Sequence, residues 1–285
     1  MKRIGIIINP SSGRQVPILH TLNQVLSRKK IDWDVHVTKG PQQIARYARH
    51  LLRKHVDAIG IYGGDGTVRE VAGALAGEKK PLLILPGGTA NVISNELRIP
   101  QDIGRAIKLF LSKPRVRAID VGQIGDQFFL TRVSNGFEAE VVRETTPDIK
   151  TKIGWLAYGL NSLKAALKTR ASIYKLKLDG KEYREQGLAC IVANSGNLGL
   201  PGITISPKIK VDDGLFDVIL INHADLLKIF KQQQVFRGFF RHWQCREIEM
   251  ITEPKHDFQC DGELHPKMPI HIKVIPQALR VITPA

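Results

Sequence analysis

The sequence predicts an α/β plus β fold. Residues 1–120 are expected to form a parallel α/β domain, and residues 121–285 an antiparallel β-sandwich with helical insertions. Three observations predict it. Short apolar runs alternate with helical periodicities through the first hundred residues, as in a parallel sheet covered by helices. From about Asp120 the pattern changes to short strands separated by Gly, Asp, Asn and Pro turns, which suits a sandwich. Two glycine-rich loops also follow consecutive strands of the first half, at the carboxyl edge where open parallel sheets bind ligands.

The elements follow in order. "RIGIIINP" is a buried strand leaving through Asn9-Pro10, residues 17–30 carry a helical pattern, and "WDVHV" alternates as a strand. A helix begins at Pro41, where proline is tolerated, with Ile44, Ala48, Leu51, Leu52 and His55 at helical spacing. "DAIGIY" is a short buried strand that runs into "GGDGT", and Val68, Val71, Ala72 and Leu75 then mark one face of a helix. "PLLILPGGT" repeats the strand-to-glycine-loop pattern before a helix over 90–97. In the second half, "IDVGQI", "QFFLTRV", "YKLKLD", "GLACIVAN", "LFDVILI", "HDFQCDG", "PIHIKVI" and "LRVITP" read as strands.

Composition narrows the function classes. Cys190, Cys245 and Cys260 are far apart, with no Cys-x-x-Cys pair, so they read as free thiols rather than a disulfide framework or thiolate zinc site. No apolar run approaches the roughly 20 residues of a membrane span, and the apolar part of "MKRIGIIINP" is too short for a secretory signal; a cytoplasmic protein is expected. Forty-two Lys and Arg against 27 Asp and Glu give a net charge of +15, which favours an anionic partner. No aromatic RNA platform or recognition-helix motif accompanies that charge, so nucleic acid is not expected.

Glycine loops 63–67 and 86–89 allow backbone N–H groups to approach phosphate oxygens, and the helices behind them add partial positive charge. Asp65 fits beside phosphates when a divalent cation lies between, or when it accepts a proton from an attacking hydroxyl. The competing reading makes Gly-Asp-Gly a turn whose aspartate caps the helix. Two such loops at consecutive strand ends favour the phosphate reading.

"NPSSGR" (9–14), "GGDGTVREV" (63–71), "LPGGTANVISNELRIP" (85–100), "VDDGLFDVILI" (211–221) and "CDGEL" (260–264) occur in the order and spacing that resemble the diacylglycerol kinase catalytic-domain family, which includes bacterial soluble lipid kinases and the sphingosine and ceramide kinases. The resemblance covers nearly the whole chain. It implies a Rossmann-like nucleotide domain of the NAD kinase/diacylglycerol kinase type, and transfer of the γ-phosphoryl group of ATP, assisted by Mg2+, to a lipid hydroxyl in a cleft between the two domains. Diacylglycerol, giving phosphatidic acid, is the expected acceptor, while a sphingoid base, phosphatidylglycerol and an undecaprenol-like alcohol also present a hydroxyl and stay open.

By motif, the resemblance assigns nucleotide contacts to Asn9, Ser11, Ser12, Gly13 and Arg14. Gly63, Gly64, Asp65, Gly66 and Thr67 would hold the phosphates, and Gly87, Gly88, Thr89 and Asn91 would complete the pocket with Asp261 and Gly262. Glu263 would be the general base and Asp65 would lie by the magnesium, although some relatives give the base role to the aspartate. Asp212, Asp213 and Asp217 match an acidic turn that holds a structural magnesium in some members. One departure stands out: bacterial relatives often read Gly-Thr-x-Asn-Asp in the second loop, and Val92 replaces the acidic residue here.

Without the resemblance, "QCDGELHP" reads as a hairpin with Asp-Gly as its turn, and "KVDDGLFD" as a hairpin with solvated aspartates. "KIGWLAYGLNSLKAALKTR" (152–170) reads as a core-packed helix with a basic outer face. "LLKIFKQQQVFRGFFRHW" (226–243), with its paired aromatics among cations, leaves core packing and contact with an anionic membrane both open. A homodimer formed through an exposed edge strand is a further possibility. The alternatives in function are a soluble-metabolite kinase of the NAD kinase type, which shares GGDGT, and a catalytically silent nucleotide- or lipid-binding protein, motivated by Val92.

Overall fold

A computed structural model describes residues 2–13, 16–29, 31–111, 115–136, 170–200, 203–223, 241–265 and 269–285. The two basic aromatic stretches lie outside the described residues over 152–169 and 226–240, as does Arg14.

The first half alternates as expected: β1 (Arg3–Ile8), α1 (Ile18–Leu26), β2 (Asp32–Val37), α2 (Pro41–Leu52), β3 (Ala58–Gly63), α3 (Asp65–Leu75) and β4 (Leu82–Pro86). Two helices follow, α4 (Val92–Glu96) and α5 (Ile103–Leu111), the latter not anticipated from the sequence. The strands pair in parallel in the order β2-β1-β3-β4. The apolar runs are buried because helices cover the sheet, and Val68, Val71, Ala72 and Leu75 of α3 are each at most 2% exposed. From β1 the chain steps to β2 on one side and then back past β1 to β3. The carboxyl ends of β1 and β3 therefore flank a topological switch point, where crossovers diverge and a crevice opens.

The second half comprises β5 (Arg115–Ile124), β6 (Gln127–Phe129), β7 (Arg132–Gly136), β8 (Ser172–Leu178), β9 (Lys181–Gly187), β10 (Ala189–Ala193), β11 (Asn197–Leu200), β12 (Ile203–Thr204), β13 (Phe216–Ile221), β14 (Arg241–Cys245), β15 (Glu247–Glu253), β16 (Phe258–Cys260), β17 (Glu263–His265) and β18 (Ile270–Thr283). An antiparallel six-stranded sheet runs β14-β13-β10-β7-β16-β17. It packs its inner face, including Val133, Val192, Phe216, Val218 and Phe258, against Tyr174, Leu176, Ile248, Met250 and Ile272 of the facing sheet. The three cysteines are buried and free, and burial pushes each thiol up to about 12.

The runs "PIHIKVI" and "LRVITP", read as two strands, are one 14-residue strand, β18, kinked at Pro276–Ala278. Its first half pairs with β15 in the sandwich and its last turns back beside β4, while β5 follows it on the other edge. Leu279, Val281 and Ile282 thereby join the core of the α/β half, and β18 makes one continuous ten-stranded sheet of the two halves. The kink is held by Asp120, whose carboxylate accepts from Gln277 N (2.7 Å) and Gly214 N (2.7 Å); Gln277 sits at φ +51°.

Candidate active site

Three loops meet at the switch point. Asn9, at the end of β1, donates from Nδ2 to Thr67 Oγ1 (2.8 Å) and accepts at Oδ1 from Ser11 N (3.1 Å), while Ser12 Oγ donates to Asn9 O (2.9 Å). Thus Asn9 ties the first loop to the start of α3. Gly13 lies beside Thr89, since a Cβ built there would come 3.6 Å from Thr89 Oγ1. The loops after β3 and β4 touch through bare backbone: a Cβ on Gly88 would stand 2.6 Å from Gly64 Cα, and one on Gly64 would stand 3.3 Å from Gly88 Cα. Side chains are excluded there because the two loops approach more closely than any Cβ tolerates.

Asn91 is 2% exposed and lies in the left-handed region at φ +47°. Its Oδ1 accepts from Gly88 N and its Nδ2 donates to Gly88 O, both at 2.9 Å, so its amide closes the second loop on itself rather than pointing outward. Nδ2 also donates to Gln101 Oε1 (2.9 Å).

Asp65 is the first residue of α3, behind the N-cap Gly64. Its Oδ1 is buried without a hydrogen-bond partner. Burial drives its pKa above the ordinary value; the N–H groups of Val92, Ile93 and Asn91 at the start of α4 offset part of that, and the charge of Asp261 adds to it. Position 92 thus reaches Asp65 through its main chain, a contribution that the identity of the side chain does not reveal.

The Asp-Gly-Glu segment is a two-residue hairpin turn between β16 and β17, with Asp261 at φ +46°, Gly262 at φ +90° and Cys260 paired to Glu263. Positive φ at both turn positions is the form that follows the twist of the strands. The Asp261 carboxylate is engaged internally: Oδ2 accepts from Leu130 N (2.8 Å), and Oδ1 from Thr131 N (2.9 Å), Thr131 Oγ1 and Arg132 N (3.1 Å). It anchors the turn on β7, which presents Glu263 to the α/β half. Glu263 Oε1 lies 3.7 Å from where a Cβ of Gly66 would be, and Oε2 accepts from Arg69 Nη2 at 2.7 Å. Burial opposes the Arg69 charge, but the Glu263 hydrogen bond and the charges of Glu263 and Asp261 outweigh it and raise the guanidinium pKa. A cavity of about 190 Å³ opens beside this pair, lined by Arg49, Arg69, Glu70, Gln127, Glu263 and His265 among others. A larger one of about 780 Å³ lies on the charged outer face of β8, β9 and β15, lined by none of the loop residues.

Asp212, Asp213 and Asp217 do not converge. Asp212 pairs with Arg117 (2.7 Å), Asp213 accepts from Leu215 N (3.1 Å), and Asp217, fully buried on β13, accepts from His242 Nε2 (2.6 Å). Among the described residues no group of three or more His, Cys, Asp or Glu is arranged to hold a metal ion. Asp217 is already within β13, while Asp212 and Asp213 occupy the turn before it.

The structure therefore brings the loops of Asn9–Gly13, Gly63–Thr67 and Gly87–Asn91 together and sets Glu263 beside Gly66. Arg69 and Asp120 were missed by the sequence reading. Arg69 carried a usable signal, since it stands four residues after Asp65 on the same helix and so on the same face.

An α/β half with two glycine loops at the carboxyl edge of its strands is joined by a shared sheet to a sandwich that brings a carboxylate to them. Residues 3–124 match the diacylglycerol kinase catalytic domain and residues 131–283 the YegS C-terminal NAD kinase beta sandwich-like domain. A diacylglycerol kinase of Bacillus subtilis is 27% identical over 100% of this chain and 97% of its own, and a Pseudomonas putida protein named "Probable lipid kinase YegS-like" is 31% identical over 88% and 85%. The crystal structure of a diacylglycerol kinase from Bacillus anthracis superposes with a TM-score of 0.78 at 27% identity, covering 99% of this chain and 97% of that one. The chain belongs to the diacylglycerol kinase family of lipid kinases, enzymes that phosphorylate an alcohol group.

Proposed function

We propose that the protein transfers the γ-phosphoryl group of ATP to the hydroxyl of diacylglycerol, giving phosphatidic acid, at an anionic membrane surface. The observation that carries this reading is the approach of Glu263, delivered by the sandwich, to Gly66 of the first glycine loop. Relatives over the full length of the chain are named diacylglycerol kinases, and the charge of +15 suits an anionic lipid surface.

Phosphoryl transfer needs positioning and charge compensation more than covalent help. The backbone N–H groups of Gly63–Thr67 would bind the non-bridging phosphate oxygens, with Asn9 and Asn91 keeping the loops in place; those of Gly87 and Gly88 already bond Gly63 O and Asn91 Oδ1 and shape the second loop instead. Glu263 Oε1 would accept the acceptor hydroxyl's proton as the new O–P bond forms and the bond to ADP breaks. Asp65 suits a hard cation: its Oδ1 is a buried carboxylate oxygen with no partner, and Mg2+ held there together with the nucleotide would offset phosphate charge.

The test is transfer of labelled γ-phosphate from ATP with Mg2+ to a panel of lipid alcohols in mixed micelles, with Asp65→Asn as the blank. Labelled phosphatidic acid absent from the blank is expected. Label on a different lipid alone would overturn the choice of acceptor, and no lipid product would overturn the reading.

A further inference from the structure

We infer that Arg69 is a positioning residue for the transfer reaction: it fixes one oxygen of Glu263 so that the other faces the phosphate loop. The inference rests on the proposed role of Glu263.

The two members of the pair differ in freedom. The Glu263 side chain is 55% exposed at the rim of a three-residue strand, whereas the Arg69 side chain is 13% exposed against α3. An exposed glutamate samples many rotamers, and the partly buried, planar guanidinium is the better-ordered partner. Holding Oε2 at 2.7 Å leaves Oε1 as the oxygen nearest Gly66. One carboxylate oxygen is thus occupied by a cation and the other is directed at the site of transfer.

The location of Arg69 makes the pair a ruler between the halves of the molecule. It stands one turn beyond Asp65, so the helix that starts at the phosphate loop also carries the group that receives Glu263. The two residues are 194 positions apart in sequence, and α3 also packs closely on the second half, where a Cβ on Gly73 would press on Phe128 of β6 at 2.8 Å. Arg69 also reaches its neighbour Glu70 at 3.5 Å, a longer contact that leaves Glu263 the closer partner. When Glu263 takes the hydroxyl proton, the Arg69 charge loses its counter-charge just as the lipid gains a phosphate, so the pair is balanced for the step.

The experiment compares wild type, Glu263→Gln, Arg69→Gln and Arg69→Lys in the lipid transfer assay, with thermal unfolding of each. Arg69→Gln is expected to lower kcat by about tenfold or more with the KM for ATP within about twofold, because orientation of the base is felt in the transition state and not in nucleotide binding. Arg69→Lys keeps charge and stem and should recover to within about threefold of wild type, at an unfolding temperature matching that of Arg69→Gln. An unchanged kcat in Arg69→Gln beside a disabled Glu263→Gln would overturn the positioning role alone. So would a loss that appears in the KM for ATP, or one that follows a fall in unfolding temperature. Full activity in Glu263→Gln would instead remove the base on which the inference depends.

Discussion

Asp65 carries a carboxyl whose surroundings disfavour its charge. Its pKa is raised in the folded chain, mainly by burial, so the folded state binds the proton more tightly than the unfolded state does. Stability from this group is therefore complete below the unfolded carboxylate range and is lost as pH rises through the folded value. Asp65→Asn should accordingly be more stable than wild type at neutral pH, by about 2–4 °C in Tm for a buried unsatisfied group, with the gap closing in acid. Thermal unfolding of both proteins at neutral and acid pH checks this, and a variant less stable at neutral pH would show that the carboxylate stabilises the fold. Loss of phosphoryl transfer in the same variant would then be a chemical effect.

The glycine loops illustrate how far an element can be read from sequence. Their positions after β3 and β4 were legible because apolar runs ending in glycine have few other uses in a parallel sheet. Their mutual contact was not, since nothing local says that Gly64 and Gly88 lie back to back. Gly88→Ala would set a Cβ 2.6 Å from backbone, whereas Gly64→Ala would meet Gly88 Cα at 3.3 Å. Overpacking of this kind costs about 1–3 kcal/mol, so Gly88→Ala should weaken ATP binding about tenfold or more and Gly64→Ala less, by equilibrium titration. Equal effects would show that the loops separate freely. The Asp-Gly hairpin was legible as a turn, yet the bonds that saturate Asp261 come from residues 130–132, a pairing no spacing announces. The acidic turn shows the reverse: Asp212, Asp213 and Asp217 are close in sequence, and each has a separate hydrogen-bond partner.

At the scale of the whole molecule, the change of pattern near Asp120 is visible in sequence, but the return of β18 to the first sheet is not. A strand is recognised by its own alternation, whereas its neighbours are set by the rest of the fold. Leu279, Val281 and Ile282 are at most 1% exposed in the core of the α/β half, and each buried aliphatic side chain contributes about 1.5–3 kcal/mol. Together these approach the whole stability of a typical domain, about 5–15 kcal/mol. A fragment of residues 1–124 should therefore show no cooperative thermal transition, and a sharp one would mean that the α/β half folds without β18. Among the described residues no helix is long and apolar enough to cross a membrane.

The most direct measurement is kcat for phosphoryl transfer to diacylglycerol by Glu263→Gln at saturating ATP and Mg2+, with the fold verified by circular dichroism. A positioned general base contributes about 10²–10⁴-fold, so a loss of that size with ATP affinity unchanged is the predicted result. A folded variant that turns over at the wild-type rate would contradict the account.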